Sequence, residues 1–220
     1  MALDYINELK TQALQEVAGV DIPVFERVCR DTAREFCEQT QGWIDKLDPM
    51  NLREDVSQYE LEAPNDFSCI IVPTRVRIFE PDDQEPVHPD TLQQSTYFQY
   101  LMEPDRCVLD LVYAPQRDQV KALHVQVALR PRRDKRQMCE RFYDDWYQGL
   151  AYGVMSRLML MPRKQWSDQE TGMYYKRLYW DWIGKAKIDR NRRFMNRPLY
   201  AFPRFQFAKG GNFERGRQSF

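Results

Sequence analysis

The apolar residues of this chain change their spacing twice, and that switch limits the folds open to it. Near the N-terminus they recur every three or four residues. Tyr5, Ile6, Leu9, Ala13, Leu14 and Val17 line one side of a helix expected over 3–17. Ala18-Gly19-Val20 ends it. Asp21 stands at the N-cap position of a second helix, with Pro23 in its first turn. Phe25, Val28, Cys29, Thr32, Ala33, Phe36 and Cys37 then form a core-facing stripe, and Gly42 and Trp43 close the section. Beyond it the period drops to two. Val76 and Ile78 alternate with Arg75 and Arg77; Cys107, Leu109, Leu111 and Tyr113 alternate with Val108, Asp110 and Val112; Leu123, Val125, Val127 and Leu129 alternate with Ala122, His124, Gln126 and Ala128. Alternation of this kind predicts strands, with further short strands over 97–102 and 59–61. Pro81, Pro86, Pro89, Pro104 and Pro115 mark the turns.

Helical spacing then returns. Asp134 and Gln137 have capping-box spacing, followed by Met138, Phe142, Trp146, Leu150, Val154 and Leu158, up to Met161-Pro162. Gly149 and Gly153, one turn apart, allow another helix to approach closely. Ser167 and Glu170 form a second capping box, opening a last helix through Tyr174, Leu178, Trp182 and Ala186. The expected architecture is α+β: a helical bundle of two N-terminal and two C-terminal helices with an inserted small antiparallel β unit and an extended C-terminal arm. In residue ranges, 1–43 and 134–190 form the helical core, 44–133 the β insertion and 191–220 the arm.

The arm has a composition of its own. It holds Phe194, Tyr200, Phe202, Phe205, Phe207, Phe213 and Phe220, spaced among Arg192, Arg193, Arg197, Arg204, Lys209, Arg215 and Arg217, with Glu214 its only acid. Pro198, Pro203 and Gly210-Gly211 break any helix there. With seven basic residues and one acid the arm carries +6, so a chain of net charge −1 leaves −7 for the rest. A basic, aromatic segment without a helical stripe cannot bury its own rings, and the uneven charge suggests a partner for it.

Several chemistries are absent. There is no phosphate-cradling GxxxxGK[ST] or GxGxxG, no GxSxG and no HExxH. Two histidines, His88 and His124, are too few for a multi-His metal site in one chain. His88-Pro89-Asp90 matches the J-domain tripeptide, but in a Pro- and acid-rich loop rather than between helices. Asp144-Asp145 after Tyr143 resembles a polymerase metal pair, but adjacent helical residues point about 100° apart. No nucleophile–base pair can be assembled, so no catalytic residue, cofactor or metal site is expected, and the chain is read as a non-enzyme. Five scattered cysteines with no CxxC argue against a disulfide framework and for a reducing compartment. No apolar run is long enough for a membrane span, and the opening MALDYINELK does not read as a secretory leader. The basic cluster Arg130, Arg132, Arg133, Lys135, Arg136 and Arg141 suits nucleic acid, and equally a solvated loop or an acidic neighbour.

Two blocks resemble a known family. The first, RDTAREFCEQTQGWIDKLDPMNL (30–52), carries Ala33, Glu35, Phe36, Cys37, Glu38, Thr40, Trp43, Leu47 and Pro49, followed by Tyr59 and Leu61. The second carries Leu129, Pro131 and Asp134, then Gly149, Arg157, Leu158, Met161, Pro162, Lys164, Trp166, Ser167, Tyr175 and Tyr179. Together they are similar to tailed-phage head-to-tail connector (adaptor) proteins, over roughly 25–187. The second block departs from the usual pattern in having Tyr147, Tyr152 and Met155 where small residues are commoner.

The resemblance implies a virion structural protein at the head–tail junction, assembled in the host cytoplasm. Such adaptors form homo-oligomeric rings, usually of twelve copies, under the portal protein, with a tail or nozzle protein below. DNA passes through the ring during ejection without sequence-specific binding, and no membrane is involved. For the ring interface the expected residues are the aromatics around the last helix: Tyr174, Tyr175, Tyr179, Trp180 and Trp182. For docking on the portal or a neighbouring subunit they are Phe194, Arg197, Tyr200, Phe202, Arg204, Phe205, Phe207, Phe213, Arg215, Arg217 and Phe220. The alternative from another class is a nucleic-acid-binding protein using the same aromatic and arginine residues to hold a single strand. A salt-dependent gel shift with the isolated arm separates the two.

Overall fold

A computed structural model describes residues 2–78, 98–102 and 107–194. Among them are four helices and nine strands in three sheets. The chain opens with β1 (Ala2–Asp4), α1 (Tyr5–Glu16) and α2 (Ile22–Thr40). Seven strands follow: β2 (Ile44–Lys46), β3 (Met50–Leu52), β4 (Gln58–Leu61), β5 (Ser68–Ile78), β6 (Phe98–Met102), β7 (Cys107–Leu111) and β8 (Gln119–Pro131). It then runs through β9 (Gln137–Cys139), α3 (Glu140–Met159) and α4 (Gln169–Phe194). The expected loop turns at Pro81, Pro86, Pro89 and Pro104, and His88, lie outside the described residues.

The expectation of a helical bundle carrying one small β unit is overturned. β8 is the spine of a four-stranded antiparallel sheet, with β5 along one side and β2 then β3 along the other. β4, β7 and β6 make a second antiparallel sheet, and β1 pairs with β9 in a third. The strands do not form an appendage. Leu52, Val76, Leu109, Leu123, Val125, Val127 and Leu129 belong to one buried cluster with Phe25, Phe36, Leu150, Val154 and Leu158 from the helices. One face of β8 is packed against α2, so apolar area from both layers leaves water together. Trp43 joins the layers, its ring stacked at 6.2 Å on Phe67 before β5 and at 6.2 Å on Phe142 of α3.

Register shifts that alternation does not display interrupt two of the ladders on β8. Lys121 takes φ +53°, and its N–H donates to Asn51 Oδ1 at 2.8 Å, at the register shift between Met50 and Leu52. Pro73, which cannot donate to a ladder, sits at a register shift of β5, a strand paired only to β8 among the described residues. Two caps also differ from expectation. Gln137 is not in a helical first turn: 137–139 bond to 2–4 as strand, and α3 starts after Cys139. Asp21 makes no side-chain cap bond, although its backbone carbonyl accepts from Phe25 N–H at 3.0 Å. At the other end of α2, Gln41 rather than Gly42 takes the left-handed position (φ 48°), with Thr40 Oγ1 donating to the Phe36 carbonyl at 2.7 Å.

Candidate subunit interface

α4 is the element on which the expected interface residues fall, and its start is defined by Asp168 rather than Ser167. Asp168 Oδ1 accepts the N–H groups of Glu170 and Thr171 at 3.1 and 3.2 Å, and Thr171 Oγ1 donates to Oδ2 at 2.6 Å. The Thr171 hydroxyl, then its backbone N–H, hold the Asp168 carboxyl below the usual carboxylate range. Ser167 instead donates to the Met159 carbonyl, helping to close the α3–α4 turn in which Lys164 lies over the Trp166 ring. The helix continues to Phe194, so the first four residues of the expected arm, 191–194, are helical.

The inner side of α4 is seated on α3 through two glycines. A Cβ on Gly149 would stand 3.0 Å from Trp182 Cβ and 3.2 Å from Phe36; on Gly153 it would stand 2.5 Å from Thr32 Cγ2 and 2.7 Å from the Tyr179 ring. These notches draw Tyr179 into the core, 4% exposed, and leave Trp182 half-buried in an edge-on contact with Trp146 at 6.1 Å. Tyr175 stacks on Tyr152 of α3 at 5.7 Å. Three of the five aromatics expected at a ring interface are thus engaged within the subunit. Tyr174 and Trp180 face outward.

Tyr179 also closes a polar contact across three helices. Its hydroxyl donates to Glu35 Oε2 of α2 at 3.3 Å, and Arg157 of α3 pairs with the same oxygen. Burial, then the Glu35 carboxylate, raise the Tyr179 phenol far above its ordinary range, so it stays a donor. Tyr179→Phe keeps the ring and removes one hydrogen bond. A loss of about 0.5–1.5 kcal/mol is expected from urea unfolding, and no loss would mean that Arg157 alone satisfies Glu35.

The outer side of α4 carries Trp180, one of the residues expected there, together with Met173 and Ile188, which were not. Met173 is 57% exposed, Trp180 46% and Ile188 52%. At about 100° per residue they share an arc of roughly 80°, whose centre lies about 130° from that of Tyr179, Ile183 and Ala186, with Trp180 only about 60° from Ile183. The spacing 173, 180, 188 is itself helical, with exposed Arg177 between the first two. Gly184 lies within this outer arc, and a Cβ there meets nothing within 4 Å. Gly184→Ala is therefore expected to stabilise the fold by about 0.5–1 kcal/mol through helix propensity alone, read as a higher denaturation midpoint. A fall in the midpoint would mean that the space is filled.

Other candidate residues resolve differently. In the basic cluster, Arg130 pairs with Glu38, Lys135 with Asp66 at 2.9 Å, and Arg136 with Asp4 and Glu26 at 3.6 and 3.3 Å. Arg132 donates to the Asp66 carbonyl. These are bonds to acidic loops and helices of the same chain. Asp144 and Asp145 lie exposed on α3 while Tyr143 is buried. The five cysteines are free. Among the described residues no group of three His, Cys, Asp or Glu could hold a metal, and no helix is long and apolar enough to cross a membrane. A depression of about 320 Å³ between α2 and the end of α3 is lined by Val24, Arg27, Val28, Asp31, Arg157 and Met161. It offers guanidinium groups and one carboxylate but no nucleophile. Arg197, Tyr200, Phe202, Arg204, Phe205, Phe207, Phe213, Arg215, Arg217 and Phe220 lie outside the described residues; Phe194 is the last residue of α4. Comparison of the chain with protein-family models and with curated proteins returns no match.

Proposed function

We propose that this chain is a virion structural protein, a head-to-tail connector whose copies form a ring beneath the portal of a tailed phage. The observation that carries the reading is the two-sided character of α4. One side is buried in the subunit, and the other presents Met173, Trp180 and Ile188 to solvent. Large apolar side chains left exposed among charged ones such as Arg177 suit a second surface, and a contact repeated from copy to copy around an axis closes a ring. The two sequence blocks that resemble connector proteins support the same reading: the first contributes Phe36 and Trp43 to the core, and the second forms the α3–α4 turn.

In this reading the subunits stand around a channel through which DNA passes, with a tail or nozzle protein below. The −7 charge on residues 1–190 suits a wall that does not hold phosphates. The basic C-terminal segment anchors the ring on the portal or an adjacent subunit. Copy number and neighbours in purified particles test the proposal. Twelve copies in contact with the portal are expected. Absence from the particle, or a single copy remote from the junction, would overturn it.

A further inference from the structure

We infer that the outward face of the β5–β8 ladder is a nucleic-acid contact, with the guanidinium groups of Arg75 and Arg77 resting on phosphates. The inference rests on the ring reading for the source of the DNA, and it names the surface of each copy that meets it. The register defines the face. Arg77 lies opposite His124, and Arg75 opposite Gln126, which has Lys46 of β2 on its other side. Residues that are opposite or two apart share a face of a sheet. Val76, Val125 and Val127 alternate with them and are buried in the core.

The missing partner singles out this pair. Arg30, Arg34, Arg130 and Arg157 are half-buried, and so are Arg75 and Arg77. Arg30 pairs with Glu26 at 3.0 Å, Arg34 donates to the Pro131 carbonyl at 2.8 Å, Arg130 pairs with Glu38, and Arg157 with Glu35. Among the described residues neither Arg75 nor Arg77 has a carboxylate or carbonyl bonded to it. Burial, then the charge of Arg75, hold the Arg77 guanidinium below its ordinary range, and no acid offsets either effect. Two partly desolvated like charges about 7 Å apart along a strand cost free energy that an anion between them returns. The chemistry of the face selects the anion. Arg75, Arg77, His124, Gln126 and Lys46 include no carboxylate and no large apolar group, whereas a protein partner calls for an apolar centre. A phosphodiester chain needs only donors. Each planar guanidinium takes two phosphate oxygens, and such contacts position a duplex without reading its sequence. Residues 1–190 carry −7 in total, so the contact is local, and a duplex held by a few cations per copy still slides.

The double variant Arg75→Gln, Arg77→Gln of the full-length chain tests this by fluorescence anisotropy of a labelled DNA duplex, between about 50 and 200 mM salt. Each phosphate contact adds about 0.9 to the slope of log affinity on log salt, so over that range the parent is expected to lose about tenfold more affinity than the variant. Each single variant should show about half of that slope difference. Any contribution from the basic C-terminal segment is common to all of them. Arg141→Gln with Arg177→Gln, at exposed positions, removes the same charge elsewhere and should keep the parent's slope. The urea midpoint of the Arg75, Arg77 variant should equal or exceed the parent's, because a repulsion is removed. A parent that does not bind the duplex overturns the inference, as does a variant with the parent's slope. A control that loses as much slope also overturns it, since net charge alone would then account for binding. So does a variant that keeps its DNA affinity but loses binding of poly-glutamate, which would assign the face to an acidic protein. Copy number in particles tests the ring reading separately, so either reading can fail while the other stands.

Discussion

Phe36→Ala is expected to cost about 3–5 kcal/mol of folding stability, the range for deleting a fully buried aromatic side chain. Phe36 has no exposed surface. Its ring centroid lies 6.1 Å from Phe142, 6.2 Å from Trp146 and 6.1 Å from Tyr179, so it is where α2 meets α3 and α4. Removing it opens a void that rigid helices cannot collapse, and a domain stable by about 5–15 kcal/mol loses a large share of its margin. Urea unfolding measures the effect. Tyr174→Ala, at a site 58% exposed, serves as the control and is expected within about 0.5 kcal/mol of the parent. A loss below about 1 kcal/mol at Phe36 would mean that the three helices do not meet at this ring.

Gly153→Ala is the second large effect, and its sign runs against helix propensity. Alanine gains about 0.8–1 kcal/mol over glycine in a helix interior. Here the added methyl would stand 2.5 Å from Thr32 Cγ2 and 2.7 and 2.8 Å from two Tyr179 ring atoms. Thr32 is β-branched and buried, and Tyr179 is tied through its hydroxyl to Glu35, so neither can swing aside. Overpacking of this kind costs about 1–3 kcal/mol, and a net loss is expected. Thr32→Ser removes the nearest clashing carbon and should recover part of that loss in the double variant, a non-additivity that a thermodynamic cycle reads directly. Gly184→Ala in the same α4 layer should move the other way. If both glycine variants stabilise, the close approach of α3 to α2 and α4 is not present.

The long, strongly periodic segments were legible. Every residue named in the α2 stripe is buried, as are Leu123, Val125, Val127 and Leu129 of β8. In these elements one face is apolar over many residues, and the period reports that face directly. Shorter elements were not legible, because three residues hold too little pattern. β2, β3, β1 and β9 exist through backbone bonds to partners far away in sequence. The failed capping boxes have the same origin. Gln137 has the right spacing for a helix start, but its backbone is committed to β1, and Asp168 outcompetes Ser167 because its carboxylate reaches two N–H groups. At the candidate interface, counting aromatics placed Tyr179 on the outside, since the sequence does not reveal that Gly153 leaves room for its ring.

The sequence by itself determined which segments alternate and which turn helically, the pair of small residues one turn apart at Gly149 and Gly153, and the uneven charge between 1–190 and 191–220. All three depend only on residues near one another along the chain. The tertiary structure alone decided that the strands share one core with the helices, and which side of α4 is left to solvent. Both depend on how elements distant in sequence divide a limited apolar surface. A helix with apolar residues on two sides can bury only the one that its own fold covers.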